Sequence, residues 1–406
     1  MSCHEINDLS ASPDTVSWQR INFQEARKRV KKLQRRIAAA YYYNDDKKVE
    51  ILQNKMIHSY YAKALAVKQV TSNRGGNTPG VDQVIWNTPE EKSQGISELY
   101  RRGYHPQPLR RVTITCINGK VRPLGIPTIR DRAMQTLYQF TLSPIAEATG
   151  DASSFAYRSG RSARGAVHQC LLNLTQQDDP LWILKCDIKS CFDRISHEWL
   201  LGHIPMDREM LRRFLKCGYI EQGQFYPTVR GIPQGGCLSS VFCNMTLDGL
   251  EPLIKQTFGP SVHLVRYADD FIVTGAESSK MVHSVLPVIK EFLAERGLTL
   301  SKEKTQLLHL SQSFSFLGFY VYLDGTRLLC EPTSQSVERL KANLWRCLMH
   351  GHTLQSSQAK SIIRGWTNYY QGMVTPGSLY KVKQELQAMS LQLQRPTQNT
   401  GFITRF

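Results

Sequence analysis

The chain has 406 residues and an apolar content of 41%, so it is long enough for two or three packed units with a sizeable core. Lys and Arg number 51 against 34 Asp and Glu, a formal net charge of +17 that favours a polyanionic partner, nucleic acid first. A basic soluble protein or a membrane-surface binder would share this balance. No apolar run reaches the length of a membrane span, and residues 1–16 form a polar leader without a targeting pattern, which predicts a cytosolic protein with no membrane partner.

The first predicted element is a basic amphipathic helix that starts near Ser17. Its apolar residues recur at three- and four-residue spacing, and basic residues that include Arg35 and Arg36 fill the other faces. This pattern is typical of a solvated surface helix or of a helix that contacts a phosphate backbone. A second helix is predicted from Asp46 to Val70.

A loop rich in Gly, Asn and Thr follows at Thr71 to Asp82. Its central residues are Arg74, Gly75 and Gly76. Backbone N–H groups in such a loop can approach phosphates closely, although many glycine-rich loops are only linkers.

Alternating residues between Tyr104 and Pro127 predict a hairpin that turns at Asn118-Gly119. Its return strand carries Lys120 and Arg122. A helix is predicted after Arg130, and another from Ala163 to Leu174, preceded by a turn that contains Arg158.

A buried strand is predicted at Leu181 to Cys186, and it ends in Asp187. A strand that terminates in an Asp holds the carboxylate rigidly, and the next backbone carbonyl, that of Ile188, can join a metal coordination shell. The alternative is that Asp187 caps a helix.

Two further features complete the pattern. Gly231 to Gly236 form a tight loop that opens an apolar helix running through Leu250. Two short apolar runs meet at Asp269 and Asp270, which predicts a hairpin with both carboxylates at its tip. Adjacent acids at a turn are often only solvated, but on a half-buried scaffold their repulsion opposes ionisation unless a cation lies between them.

The C-terminal third is predicted to contain a helix from Lys280 to Arg296, a hairpin that turns at Asp324-Gly325, and helices from Ser334 to Leu391. Three acids in the order Asp187, Asp269, Asp270 suit two Mg²⁺ ions, with Mn²⁺ as an alternative ion, for in-line nucleotidyl transfer. Lys304 would supply a proton to the leaving pyrophosphate, or it lies on a solvated end of an element.

In their amino-acid sequences and in their order along the chain, these segments resemble the motifs of reverse transcriptases, most closely those of the group II intron-encoded family. Asp187 to Asp193 resembles the first catalytic aspartate motif, Gly231 to Ser239 the "PQGG" segment, and Tyr267 to Asp270 the "YADD" box. The resemblance extends from Phe23 to Tyr370 and includes an N-terminal loop, a primer-grip hairpin at Phe316 to Phe319, and a thumb helix at Ile363 to Tyr370.

The resemblance implies an α+β right-hand polymerase of fingers, palm with an antiparallel sheet, and helical thumb, with a helical N-terminal extension. The implied ranges are, in order, a leader at 1–16, the N-terminal extension at 17–85, fingers at 86–180, palm at 181–325 with an insertion at 200–230, thumb at 326–395, and a tail at 396–406.

It also implies roles for individual residues. Phe192 would be an aromatic gate whose ring clashes with a ribose 2′-OH and so selects dNTPs. Gln234 and Gly235 would approach the incoming nucleotide. Basic side chains implied for the triphosphate are Lys120, Arg122 and Arg158. Residues implied for nucleic-acid contact are Arg35, Arg36, Arg74, Gly75, Gly76, Gly236 and Arg364.

Group II intron proteins continue after the thumb with a DNA-binding segment and often an endonuclease, and the sequence departs from that pattern. It is therefore expected to resemble stand-alone bacterial enzymes that extend a DNA or RNA primer on a dedicated, structured noncoding RNA, including those of anti-phage defence. Two alternatives remain: a maturase-like RNA-binding protein of a mobile intron, and a ribonucleotide polymerase or primase.

Overall fold

A computed structural model of the chain describes residues 17–115, 121–175, 182–349, 353 and 356–394. The expected leader and tail, the turn at Asn118-Gly119, and Lys120 lie outside these residues. Within the described ranges, no helix is both long enough and apolar enough to cross a membrane.

The helices are numbered along the described chain as follows: α1 (Phe23–Tyr42), α2 (Asp46–His58), α3 (Tyr60–Thr71), α4 (Pro89–Glu98), α5 (Ile129–Thr149), α6 (Ala163–Thr175), α7 (Cys191–Arg194), α8 (His197–His203), α9 (Arg208–Leu215), α10 (Ser239–Leu247), α11 (Leu250–Phe258), α12 (Ser278–Lys280), α13 (Leu286–Glu295), α14 (Ser334–Met349), α15 (Ser357–Tyr370) and α16 (Pro376–Gln394). Short 3₁₀ helices cover Trp18–Arg20 and Arg74–Asn77, and a π-helical turn, Met281–Val285, joins α12 to α13.

The strands form three sheets and are β1 (Leu109–Thr115), β2 (Val121–Ile126), β3 (Trp182–Asp187), β4 (Tyr219–Glu221), β5 (Gln224–Tyr226), β6 (His263–Tyr267), β7 (Asp270–Gly275), β8 (Gln306–His309), β9 (Phe314–Phe316), β10 (Phe319–Asp324) and β11 (Arg327–Pro332). Their orders are β2-β1-β4-β5, β6-β7-β3-β8 and β11-β10-β9. The β1–β2 and β10–β11 pairs are antiparallel, as the sequence predicts, and β1 also pairs with β4 in parallel.

The chain divides into two compact units. The first comprises the described chain up to Arg158, Asp187–Leu253 and Pro287–Lys302. The second comprises Ser159–Cys186, Ile254–Leu286 and the chain from Glu303 onward. The sheet β6-β7-β3-β8 belongs to the second unit, except that the last residue of β3, Asp187, is the point where the chain enters the first unit.

Helix α1 confirms the predicted basic helix and begins where a side chain caps it. The side chain of Asn22 accepts hydrogen bonds from the backbone N–H groups of Gln24 and Glu25. One face is buried, and that face consists of Ala26, Val30, Leu33, Ile37 and Ala40. The apolar spacing read from the sequence is therefore the packing face, and the basic residues lie on the opposite side.

The single helix predicted from Asp46 to Val70 is wrong, because the structure divides it into α2 and α3. The break lies at Ser59, whose ψ of 123° is extended and whose hydroxyl accepts a hydrogen bond from the backbone N–H of Ala62. The hydroxyl thus caps a new helix, a competition with helix continuation that apolar periodicity does not register.

The apolar helix predicted to run through Leu250 is also interrupted. Helix α10 ends at Leu247, and Gly249, with φ at +98°, separates it from α11. The carboxylate of Asp151 accepts a hydrogen bond from the N–H of Gly249 at 2.8 Å, which fixes the bend.

The strands of the β6–β7 hairpin are buried on both faces. The burial covers Leu264 and Val265 on β6 and Phe271 to Val273 on β7, and α6 packs against both strands. Continuous rather than alternating apolar runs are typical of strands covered on both sides. Each such side chain contributes about 1.5–3 kcal/mol through burial, so the hairpin is a rigid support for its turn.

The C-terminal helices α14, α15 and α16 confirm the helical pattern predicted from Ser334 to Leu391. They share a small core, which is made of Leu340, Leu344, Ala359, Val382 and Leu386. Helix α15 begins at Ser356, whose hydroxyl accepts a hydrogen bond from the N–H of Ala359.

We expect Gly80→Ala to destabilise the first unit, because a Cβ there would lie 2.6 Å from Cα and 2.7 Å from N of Thr128. Thr128 is the buried N-cap residue of α5, so its backbone cannot move away without disturbing the start of that helix. The expected loss is about 1–3 kcal/mol in the free energy of unfolding. Urea denaturation measures it. The matched control is Gly202→Ala in α8, where a Cβ meets nothing within 4 Å. An equal loss in the control would refute this explanation.

Candidate active site

The predicted carboxylate hairpin is confirmed. Tyr267 pairs with Asp270, so β6 and β7 are joined by only two residues, Ala268 and Asp269. Ala268 has φ at +57°, a left-handed conformation that costs a non-glycine residue roughly 1–2 kcal/mol. The buried strands on either side sustain it, and they leave Asp269 in the turn and Asp270 as the first residue of β7.

Strand β3 lies between β7 and β8 and ends in Asp187, as predicted. Because Lys185 pairs with Gln306 in the antiparallel β3–β8 ladder, the turn before β8 lies at the end of the sheet where β3 terminates. Lys304 is in that turn and is exposed.

The carboxylate of Asp270 is close enough to the end of β3 to raise the pKa of a side chain there. Burial raises the pKa of the Cys186 thiol to about 12, and the Asp270 carboxylate contributes to the increase. Cys186 immediately precedes Asp187, so the tip of the β6–β7 hairpin lies beside the last residues of β3. An electrostatic contribution of this kind requires proximity in a poorly hydrated environment.

The donor chemistry at this end of the sheet suits a hard divalent cation, because carboxylate oxygens are the ligands that Mg²⁺ prefers. In the part of the chain that the structure describes, however, no three His, Cys, Asp or Glu side chains are grouped closely enough to hold a metal ion. The sheet therefore supplies ligands of the right type without a preassembled cage, and the metal assignments of Asp187, Asp269 and Asp270 stay predictions.

The backbone after Asp187 is held by a short bridge to residues 299–301. The carbonyl of Asp187 accepts a hydrogen bond from Ser301 N–H at 2.8 Å, and Lys189 N–H donates to the carbonyl of Thr299 at 2.9 Å. Ile188, bridged to Leu300, is 1% exposed. These contacts fix the chain on both sides of Ile188, whose carbonyl is the predicted additional metal ligand.

The predicted gate residue, Phe192, lies in α7 and is partly exposed. Its carbonyl accepts a hydrogen bond from Ile232 N–H at 2.6 Å, which ties α7 to the Gly231–Gly236 loop. Gly231 has φ at +80°, and a Cβ there would lie 2.6 Å from the carbonyl carbon of Asp193. Phe192 is therefore not fully buried, and its backbone is positioned by the glycine loop.

The side chain of Gln234 forms hydrogen bonds with two residues: Asp193, which follows the predicted gate residue, and Arg122, a predicted triphosphate contact. Its side-chain amide donates to Oδ1 of Asp193 at 2.9 Å, and its Oε1 accepts from Nε of Arg122 at 3.3 Å. The structure thus brings Arg122 and Gln234 together, as their shared predicted role requires. Asp193 was not predicted as a site residue, although it stands within the aspartate motif; only the fold shows that it orients Gln234.

The two glycines after Gln234 are required by close packing. The carbonyl of Gln234 accepts a hydrogen bond from Gly125 N–H at 2.8 Å, and Gly235, with φ at +115°, lies directly against the carbonyl of Gly125. A Cβ at Gly236 would lie 2.7 Å from the side-chain oxygen of Gln135. The loop therefore packs closely against β2 at Gly235 and against α5 at Gly236 only because neither residue has a side chain.

Arg158 has partners within the fold. Its guanidinium side chain is 6% exposed, pairs with Glu147 at 2.9 Å, and donates to the carbonyls of Asp151 and Ser154. These contacts occupy the donors that were predicted to bind a triphosphate. The structure gives Arg158 a structural role that the sequence did not indicate.

The predicted nucleic-acid residues are dispersed. Arg35 and Arg36 are exposed on α1, and Arg364 is exposed on α15. The carbonyl of Gly75 accepts a hydrogen bond from Arg132, and a Cβ at Gly76 would lie 3.0 Å from the carbonyls of Val70 and Thr71. This loop is thus fastened to the fold through its carbonyls; the side chain of Arg74 is outside the description.

Two tyrosines that the sequence does not identify as site residues form hydrogen bonds to the predicted primer-grip hairpin. Tyr369 donates to the carbonyl of Leu317 at 2.7 Å, and Tyr370 to that of Gly318 at 2.9 Å. Leu317 has φ at +49°. Burial raises the pKa of Tyr369 to about 12, with smaller contributions from Tyr370 and Tyr267, so the "YADD" tyrosine lies near this contact.

Comparison with protein families identifies the class. A model described as "Reverse transcriptase (RNA-dependent DNA polymerase)" matches residues 110–321, just over half of the chain, and one for the "N-terminal domain of reverse transcriptase" matches residues 18–99. The chain therefore belongs to the reverse transcriptase family. The predicted enzyme class, RNA-directed DNA polymerase, is confirmed, as is the α+β right-hand polymerase fold with a helical N-terminal extension.

Two relatives place the chain within the family. It is 27% identical to Protein YkfC of Escherichia coli in an alignment of 345 positions that covers 72% of this chain and 90% of that protein. It is 29% identical to the group II intron-encoded protein LtrA of Lactococcus lactis in an alignment of 327 positions that covers 63% of this chain and 54% of LtrA. The chain thus spans about half of LtrA, and the predicted group II relationship is confirmed.

Telomerase from Candida tropicalis superposes with a TM-score of 0.46 at 12% identity, over 72% of this chain and 58% of telomerase.

We expect Gly235→Ala to displace Gln234, because the added Cβ meets the Gly125 carbonyl and the φ of +115° disfavours a side chain. Primer extension should fall by about 10- to 100-fold, with a smaller effect on global stability, since a misplacement of about 1 Å can cost that much. The measurement is steady-state incorporation. Gly223→Ala is the control: it has a similar φ of +83° and nothing within 4 Å of a Cβ. Unchanged activity in Gly235→Ala would contradict this role of the loop.

Proposed function

We propose that the chain extends a DNA or RNA primer with dNTPs on an RNA template, and that Asp187, Asp269 and Asp270 bind two Mg²⁺ ions, or Mn²⁺ in their place. The observation that carries this proposal is the convergence of β3 and the β6–β7 hairpin at one end of one sheet, in a chain of the reverse transcriptase family. When bound, the ions would supply Lewis-acid stabilisation of the attacking and leaving oxygens.

The chain's own residues would orient and select the nucleotide. Phe192, partly exposed and anchored through its carbonyl, would exclude a 2′-OH by contact with the ring. Gln234, held by Asp193 and Arg122, would contact the base or sugar, while Gly235 keeps the loop backbone close. Lys304, exposed at the end of the sheet, would donate a proton to pyrophosphate.

Of the three basic residues predicted to contact the triphosphate, we propose that two do so. Arg122 is exposed and donates a long hydrogen bond from Nε to Gln234, so its positive charge remains accessible to a phosphate. Arg158 is engaged by Glu147, and we assign it no contact with the nucleotide. Lys120 keeps its predicted role.

The RNA would lie against basic and glycine-rich parts of the surface. The exposed arginines of α1, with Arg364 on α15, would neutralise phosphates, and the Arg74–Gly76 loop and Gly236 would allow close backbone approach. The fingers, palm and thumb ranges predicted from the sequence are retained as part of this proposal. The template would be a structured noncoding RNA used in anti-phage defence in the bacterial cytoplasm, by analogy with the stand-alone enzymes that the sequence resembles.

We expect the double change Asp269→Ala/Asp270→Ala to abolish dNTP incorporation on a primed RNA with Mg²⁺. Loss of these carboxylates removes several kcal/mol of transition-state stabilisation, about 10³-fold or more in rate. Incorporation of labelled dNTPs measures it, and the control is Asp324→Ala, an exposed acid at the end of β10. Full activity in the double variant would remove the basis of the proposal.

We expect Phe192→Val to admit ribonucleotides. The smaller side chain would reduce the preference for dNTPs over rNTPs by about 10- to 200-fold, the range for a steric change in an apolar pocket. Competition between the two substrates measures the ratio of their kcat/KM values. Phe225→Val, at a ring that is 53% exposed on β5, is the control. An unchanged ratio would favour a ribonucleotide polymerase or primase.

A maturase-like RNA-binding protein is the second candidate. It is favoured by 24% identity to Maturase-like protein 1 of Euglena gracilis in an alignment of 362 positions that covers 84% of this chain. If the chain acts as a maturase, its biological function should be retained in the Asp269→Ala/Asp270→Ala variant and lost when Arg35 and Arg36 are changed to Ala. The polymerase proposal requires the acids in both assays.

A further inference from the structure

The turn between β9 and β10 has an unfavourable backbone conformation. Phe316 pairs with Phe319, so only Leu317 and Gly318 join the two strands. Both have positive φ values, +49° and +83°, which is the pattern of a type I′ turn. Glycine adopts this conformation freely, but a leucine does so rarely, because its Cβ crowds the following carbonyl oxygen. Contacts from outside the turn are therefore needed to hold Leu317 in place.

Helix α15 supplies a contact to Leu317. The hydroxyl of Tyr369 donates to the carbonyl of Leu317 at 2.7 Å. The ring of Tyr369 packs against Phe319, the first residue of β10, with 5.3 Å between the ring centroids. Tyr369 is half-buried, so its hydrogen bond is partly shielded from water. One side chain thus contacts the turn through its hydroxyl and the following strand through its ring.

The carbonyl of Gly318 is held from the same side. It accepts a hydrogen bond from Thr333 N–H at 2.9 Å and another from the hydroxyl of Tyr370 at 2.9 Å. A Cβ at Gly318 would lie 3.0 Å from that hydroxyl. Both carbonyls of the turn are therefore engaged by groups at the start of α14 and at the end of α15.

The hydroxyl of Tyr370 is itself oriented by neighbouring donors. A carbonyl only accepts, so the single proton on Tyr370 Oη points to Gly318, and the hydroxyl of Ser336, 2.7 Å away, donates to Tyr370. The indole N–H of Trp366 donates to Ser336 at 3.1 Å. Because Tyr370 is only 1% exposed, these bonds fix the end of α15 and with it the adjacent Tyr369.

The end of α15 is also tied to the helix that packs on the β6–β7 hairpin. The guanidinium of Arg164, on α6, donates to the carbonyls of Asn368 at 3.2 Å and Gln371 at 2.8 Å. A cation is favourable there because the last carbonyls of a helix carry partial negative charge. Helix α6 packs against β6 and β7. The position of Tyr369 is therefore set by the support of the hairpin that carries Asp269.

Tyr369 also lies near the strand that leads to the acids. Tyr267, the last residue of β6, contributes to the raised pKa of Tyr369, after burial and Tyr370. Tyr267 pairs with Asp270 across the hairpin. The hairpin, the Leu317–Gly318 turn and α15 all belong to the second unit. Tyr369 thus contacts the unfavourable turn and lies close to the acidic hairpin within one compact body.

We propose that Tyr369 is a positioning residue for primer extension, whose hydroxyl keeps the Leu317–Gly318 turn in the left-handed conformation that receives the primer 3′ end near Asp269. The inference rests on the proposed function, because it takes the turn as a primer contact. Tyr369 itself touches neither the nucleotide nor a metal in this role and acts through the turn. Without its hydroxyl, Leu317 relaxes toward a negative φ and the turn loses its single conformation.

The first test is Tyr369→Phe in the full-length protein, because this change removes the hydroxyl and keeps the ring. The KM for primed RNA should rise about 5- to 10-fold, as expected for one lost hydrogen bond, while the KM for dNTP and the affinity for unprimed RNA change by less than about 2-fold. A smaller folded fraction would lower the apparent kcat and leave KM unchanged, so the KM values separate positioning from lost stability. Steady-state incorporation and fluorescence anisotropy measure these quantities.

The matched control is Tyr322→Phe. It removes a tyrosine hydroxyl that donates to Glu331 at 3.2 Å between β10 and β11, away from the turn. The KM for primed RNA should stay at the wild-type value in this variant. An equal rise in Tyr322→Phe, or an unchanged KM in Tyr369→Phe, would overturn the proposal.

A second variant alters the same contact from the turn. Gly318→Ala places a Cβ 3.0 Å from the Tyr370 hydroxyl at a residue with φ of +83°, so it should raise the same KM whether or not Tyr369→Phe folds. Its control is Gly325→Ala in the β10–β11 turn, where φ is +60° and a Cβ meets nothing within 4 Å. The same KM in both alanine variants would count against the turn as the primer contact and overturn the proposal.

A third measurement asks whether the hydroxyl acts through the turn conformation. Asn-Gly is the preferred pair of a type I′ turn, so Leu317→Asn should hold the turn without help from Tyr369. In the Leu317→Asn background, adding Tyr369→Phe should therefore raise the KM for primed RNA by less than about 2-fold, a non-additive result for neighbouring residues. An undiminished effect of Tyr369→Phe in that background would refute this mechanism.

Failure of this inference and failure of the proposed function have different signatures. If the wild-type protein incorporates dNTPs and Tyr369→Phe has the wild-type KM for primed RNA, only the role of Tyr369 fails. If the wild-type protein incorporates no dNTP on primed RNA, the proposed function fails and the role of Tyr369 fails with it.

Discussion

The pairing register of the sheet β6-β7-β3-β8 is the constraint on which the candidate active site depends. Tyr267 opposite Asp270 leaves two residues for the turn, and Lys185 opposite Gln306 sets the end of β3. A slip of one residue would change the length of the turn and the positions of both acids in it. The pairing of two buried strands therefore positions carboxylates that have no strong local preference of their own.

The first unit relies on a different principle, close approach between backbones. The segment from Gly231 to Gly236 lies against α7 and β2 through hydrogen bonds from Ile232 N–H and to the carbonyl of Gln234. Each contact is possible because a glycine lacks a Cβ at the crowded point. Rigid backbone contacts of this kind hold one functional side chain, Gln234, while the rest of the loop contributes only its shape.

The same loop is also held by a buried imidazole. The Nε2 of His197 donates to the carbonyl of Gly231 at 2.7 Å, so the ring fixes the first glycine of the loop. Because the residue is 8% exposed, this hydrogen bond is shielded from competition with water.

The sequence by itself determined the elements whose signals are local: the basic amphipathic helix, the apolar strand that ends in Asp187, and the hairpin that carries Asp269 and Asp270. Motif order added the enzyme class, which the family match confirmed. Only the tertiary structure decided the break at Ser59, the commitment of Arg158 to Glu147, and the pairing of Gln234 with Asp193. Caps, ion pairs and close contacts between distant residues depend on which segments meet in space, and no periodicity along the chain records that.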